Sequence, residues 1–266
     1  MELRLRIAIV LLLVASSGCA VSSGTSGPSS PLPTVTHLPG IGLVTWTGGK
    51  STRLADLKLE TLGSQPNADV RVRVERVEGS LSEHRHGAGF VYSPHAGQQL
   101  AIGDRTVDIP PGGAGIVAPH GIAHVHRSPQ GTSWLFICLE DVAGTSSATH
   151  GFVVYESPPL PSLPTGTHPG GAFTLGYTES LRLVELAPGG SSPLHYPTGY
   201  EALYVLEGAV DIVFSTSHTQ VGEAQGHTVG PLEVVRLVNH QQTPSRILVF
   251  FASPGGEPYQ VDLGGS

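Results

Sequence analysis

No stretch of this chain runs far without a glycine or a proline. The 266 residues hold 35 Gly and 22 Pro, together about a fifth of the chain, which leaves no room for long helices. A helical bundle, a coiled coil and a multi-pass membrane protein are excluded. Between these punctuation points lie segments of four to eight residues rich in Val, Ile and Leu, and several alternate with period two. Val70, Val72 and Val74 against Arg71, Arg73 and Glu75 is the clearest case, and it reads as a half-buried strand. A second series begins at Phe173 and includes Leu181 to Leu186, Leu203 to Leu206, Val210 to Phe214, Glu233 to Val238 and Ile247 to Phe251. Between the series lies a proline-rich connector, residues 157–171. Each series has a Gly-punctuated histidine turn, a hairpin, another Gly/Pro turn and a closing hydrophobic strand, so the chain reads as a duplication of roughly 110 residues per repeat.

The formal charge is −7, and Lys50 and Lys58 are its only lysines. No basic stripe exists to hold phosphates, so nucleic acid is not an expected partner. At the N-terminus Arg4 and Arg6 precede an apolar run from Ile7 to Ala15, which is too short to span a bilayer as a helix and has the layout of a secretory signal. Small residues then lead into Cys19. The segment resembles a bacterial lipoprotein signal, which implies that Cys19 is lipidated and that the protein is an exported cell-envelope lipoprotein or is secreted, meeting a membrane only through its lipid. Residues 1–19 are therefore expected to be a signal peptide and 20–36, rich in Ser, Gly and Pro, a flexible linker. Cys138 is the only other cysteine. Lying within the apolar run Trp134 to Leu139, it reads as a buried core thiol.

Histidine is where the chemistry concentrates. In Glu83-His84-Arg85-His86 the two imidazoles share one side of a strand. Farther on, Pro119-His120-Gly121-Ile122-Ala123-His124-Val125-His126 brings further histidines just after a turn. A metal bound through nitrogen needs such groups from at least two strands. His84-x-His86, three residues, Phe90, six residues, Gly97 follows the spacing of the first cupin motif, with Phe90 where the family has Glu. Gly113, five residues, Pro119-x-Gly121, two residues, His124, three residues, Ser128 follows the second, with Ser128 in place of Asn.

The second half repeats the first motif as Gly189, five residues, His195-x-Pro197, three residues, Glu201, six residues, Gly208, and Asn239 fits the close of the second motif. No histidine stands near Val235 or Arg236. The chain thus resembles the cupin superfamily as a bicupin. The resemblance implies an all-β fold of two tandem jelly-roll barrels: an N-terminal cupin over 37–156, a linker over 157–171 and a degenerate C-terminal cupin over 172–266.

The resemblance also assigns His84, His86 and His124 as ligands of a divalent transition metal, with Fe, Zn or Cu preferred over Mn because no carboxylate joins the set. Phe90 is expected to line and dry the pocket. His126 reads first as a structural histidine of that pocket, with a fourth ligand or an outer partner of one as its alternatives, and His120 as an exposed turn residue. His195 and Glu201 are expected to form a remnant or an organic-ligand pocket in the second half, since two ligands would hold a metal weakly. Tyr196, Tyr200 and Tyr204 read as wall and core residues. Three nitrogens with open positions would suit a dioxygenase-like oxidoreductase acting on a small organic substrate. The competing reading is a non-enzymatic lipoprotein that binds a small molecule or a metal. A homodimer is implied by the resemblance alone.

Overall fold

A computed structural model describes residues 46–59, 69–117, 122–142, 150–161, 163 and 177–263. The signal segment, Cys19, the linker, His120 and most of the proline-rich connector lie outside these residues. The described residues form nineteen strands and no helix, as the density of Gly and Pro requires. The first half contributes β1 (Thr47–Leu59), β2 (Val70–Glu78), β3 (Leu81–His84), β4 (Gly89–Ser93), β5 (Gln98–Ile102), β6 (Arg105–Ile109), β7 (Gly113–Val117), β8 (His124–Arg127), β9 (Ser133–Asp141) and β10 (Phe152–Glu156). The second contributes β11 (Tyr177–Ser191), β12 (His195–Pro197), β13 (Tyr200–Glu207), β14 (Ala209–Phe214), β15 (His218–Gly222), β16 (Gly226–Val229), β17 (Val235–Val238), β18 (Ser245–Pro254) and β19 (Gln260–Asp262).

In the first half a five-stranded sheet of order β10-β2-β9-β4-β7 accompanies a four-stranded sheet of order β3-β8-β5-β6. Val77, Val91, Leu100, Ile109, Val117, Trp134, Phe136 and Cys138 form one buried cluster within this half. The second half closes its own barrel around Val184, Leu203, Val205, Ile212, Val235 and Phe251. A third core joins the halves, with Val72, Val74, Phe90 and Ile137 of the first packed with Leu181, Leu183, Tyr204 and Phe250 of the second. Each large apolar side chain buried there contributes about 1.5–3 kcal/mol.

Two features depart from the period-two reading. The alternation in β2 is real, yet its polar positions Arg73 and Glu75 are as buried as its valines, because the valines fill the core between the halves while Arg73 and Glu75 satisfy one another through an ion pair at 3.0 Å. Strand β1, from the N-terminal side of the chain, pairs antiparallel with β11 from Thr47↔Ser191 onward. By pairing it therefore belongs to the sheet of the second half.

Candidate metal centre

Strands β3 and β8 lie antiparallel with His84 opposite His124. Because residues two apart on a strand share a face, His126 follows His124 inward, and both are buried. His86 stands beyond the end of β3, where the chain leaves the strand, so it turns toward His124 instead of keeping strand register. Nitrogen atoms of His84, His86, His124 and His126 all lie within 4.8 Å of one another. Among the expected ligands the structure thus brings His84, His86 and His124 together. It also adds His126, whose sequence position leaves a structural role and a fourth ligand both open.

The tautomers of these rings follow from their partners. His84 Nδ1 lies 2.7 Å from the Ser82 carbonyl, His86 Nδ1 2.7 Å from that of Gly87 and His124 Nδ1 2.9 Å from that of Ile122. A carbonyl accepts, so each Nδ1–H donates and each Nε2 carries a lone pair. The Nε2 atoms of His86 and His124 are 2.9 Å apart, and with both protons on the far side of the rings these two lone pairs face each other. A cation between them removes that conflict, and two nitrogens 2.9 Å apart suit adjacent ligands of one ion with bonds of about 2.0–2.1 Å. His84 Nε2 and both nitrogens of His126 are buried with no hydrogen-bond partner, the state expected of ligand atoms. Burial, first of all, pushes His86 down to about 3 and His126 to about 2 and lowers His124, with the neighbouring imidazoles acting in the same direction. These rings are neutral at pH 7, as metal ligation requires.

Trp134 and Phe136 fix the orientation of two of the rings. The His126 ring stacks on that of Trp134, with centroids 4.3 Å apart and planes at 20°, and the indole N–H donates to the Gly79 carbonyl at 2.9 Å. Phe136 packs against His86 at 4.1 Å. Phe90, expected in the pocket, is instead fully buried between the halves with its ring 6.1 Å from that of Phe250. The reason is a one-residue offset. Phe90 pairs with Ile137 of that shared core, whereas Glu201 of the second half pairs with Phe251 of its own barrel interior. The neighbours of Phe90, Gly89 and Val91, turn to the other face: Val91 lies in the first barrel's buried cluster, and a Cβ on Gly89 would meet the Ile137 carbonyl at 2.5 Å and the Phe136 ring at 2.8 Å. Neither position supplies a carboxylate ligand.

The second half assembles its pair differently. His195 Nε2 lies 3.0 Å from Glu201 Oε2, and Nδ1–H donates to the Pro193 carbonyl at 3.0 Å. Burial opposes charge on His195, but Glu201 outweighs it and raises the imidazole above its usual range. With both nitrogens occupied, the ring offers no lone pair to an ion. Val235, fully buried, pairs with His195 where the first half places His124 against His84. The cavity beside the pair, lined by Trp46, Arg182 and Phe251 among others, measures about 10 Å³, hardly the space of one water. Asn239 is a structural clamp, its amide donating to the carbonyls of Leu186, Ala187 and Thr243. Tyr200 and Tyr204 are buried in the core between the halves.

A fifth imidazole, missed by the sequence reading, stands beside the group: the His150 ring lies 4.3 Å from that of His84. It falls outside both histidine motifs, and only proximity in the folded chain reveals it.

No family model matches the chain, and no curated protein matches it. Solved structures do. Oxalate decarboxylase of Lactobacillus farciminis, in a formate complex, is 15% identical with a TM-score of 0.53, over 74% of this chain and 80% of that one. A variant of the Bacillus subtilis oxalate decarboxylase is 13% identical with a TM-score of 0.53, over 80% and 79%. Another variant of that enzyme gives 14% and 0.52, over 74% and 71%. Identities this low carry the fold alone, and the fold they carry is that of two tandem cupin barrels.

Proposed function

We propose that this protein is an exported metal-binding cupin whose first barrel holds a divalent transition ion through His84, His86, His124 and His126. The observation that carries this reading is the convergence of four imidazoles, three with Nδ1 held by a carbonyl and Nε2 turned to the group, and the fourth, His126, with no hydrogen-bond partner on either nitrogen. Export is supported by the signal-like segment from Arg4 to Cys19. One of the similar structures concerns Mn(II) centres in the Bacillus subtilis oxalate decarboxylase. In this chain a site of neutral imidazoles, with no carboxylate at Gly89, Phe90 or Val91, suits Zn²⁺, Cu²⁺ or Fe²⁺ better than the harder Mn²⁺. When bound, such an ion supplies Lewis acidity or redox chemistry. A second reading, a metal-dependent oxidoreductase acting on a small organic substrate, is favoured by the half-exposed His84, which leaves one side of the centre near solvent.

Elemental analysis tests the principal reading. The chain from Val21 onward is dialysed against equal concentrations of Mn²⁺, Fe²⁺, Cu²⁺ and Zn²⁺ without oxygen and then freed of loose metal. About one ion of Fe, Cu or Zn per chain is expected, as for a single site. Retention of Mn²⁺ alone, or of no ion, would contradict the reading.

A further inference from the structure

His150 reaches the centre from just before β10, a part of the chain remote in sequence from both histidine motifs. Its ring centroid lies 4.3 Å from that of His84 and 5.5 Å from that of His86. Its Nε2 is buried with no partner, as is that of His84. Leaving a buried polar nitrogen unpaired is costly, and here the cost recurs at neighbouring rings. The ring lies outside the four whose nitrogens fall within 4.8 Å of one another, on the His84 side, so its Nε2 is satisfied only by closing onto an ion that they hold.

The main chain of His150 is held from behind. Its N–H donates to Glu75 Oε2 at 3.1 Å. Glu75 Oε1 lies 3.0 Å from Arg73 Nη2, and Arg73 Nη1 lies 3.2 Å from both oxygens of Glu140. Arg73 and Glu75 are 4% and 3% exposed, so this clamp sits inside the protein and is not a solvated ion pair.

We propose that His150 is a further ligand of the metal centre, and that Glu75 is the positioning residue that holds it there. This rests on the four-imidazole reading above. With no carboxylate at Gly89, Phe90 or Val91, a further donor comes from outside the two motifs.

Co²⁺ is the probe, because its visible bands strengthen as its coordination number falls. The unmodified chain, His150→Ala, His150→Gln and Glu75→Met are titrated with Co²⁺, and their metal-free urea midpoints are compared. His150→Ala and His150→Gln are expected to fold as the unmodified chain does, to bind Co²⁺ more than about 100-fold more weakly, since a ligand and not an outer partner is lost, and to show stronger visible bands. Glu75→Met is expected to shift the bands in the same direction. Unchanged affinity and bands in both His150 variants overturn the assignment of His150 and leave the four-imidazole centre standing. Unchanged bands in Glu75→Met overturn its positioning role, and failure of the unmodified chain to bind Co²⁺ overturns the centre and this inference together.

Discussion

His86→Ala is expected to empty the centre. His86 supplies one of the two nitrogens that face each other at 2.9 Å, and its loss removes a bond to the ion itself. The fall in affinity should therefore exceed the roughly 100-fold that loss of an outer partner costs. The metal-free chain should behave differently. There the two opposed lone pairs are a liability, and alanine relieves that conflict while giving up contact with Phe136, so the metal-free urea midpoint should move little. His195→Ala serves as the contrast: its nitrogens are committed to Glu201 and Pro193 in the other barrel, and metal content should be untouched. Retention of a full equivalent of metal by His86→Ala would remove the basis of the site.

The second large effect concerns Glu179 on β11, fully buried with neither carboxyl oxygen partnered. Its strand neighbours are Leu57 of β1 and Ala252 of β18. Burial alone pushes it from 4.5 up to about 8. The folded state therefore holds a proton that the unfolded chain releases at lower pH. Stability from this group is full below about pH 4.5, declines as pH rises and is lost once pH passes about 8. The difference in pKa corresponds to at most ~5 kcal/mol. Glu179→Gln should thus be near neutral at pH 5 and more stable than the unmodified chain by about 2–4 kcal/mol at pH 9, read from urea midpoints at the two values. Parallel pH profiles for the two proteins would show that Glu179 is not protonated in the fold.

What could be read before folding was considered is what local spacing encodes. The Gly and Pro punctuation dictates short strands, and the two histidine motifs place His84, His86 and His124 because each motif is a turn whose geometry a few residues set. The failures have a different origin. Phe90 and Gly89 differ by one position, and in a strand one position exchanges the two faces, so correct spacing in sequence still misplaced the side chain. Arg73 and Glu75 look like a solvent face by alternation, but they are buried because their charges pair inside the protein. For His126 the sequence leaves a structural role and a fourth ligand both open, and the fold adds that His124 and His126 share a buried face of β8. His150 carries no motif at all: it reaches the site through pairing between β10 and β2, a long-range contact that no window of sequence contains. The same holds for β1, whose partner β11 lies across the whole first half.

X-ray absorption at the edge of the bound ion tests the central claim most directly. The account expects a first shell of nitrogen at about 2.0–2.1 Å, as for imidazole ligands, with the multiple scattering of at least four imidazole rings and neither sulfur nor protein carboxylate. A shell containing Cys138 sulfur or carboxylate oxygen, or fewer than four imidazoles, would contradict it.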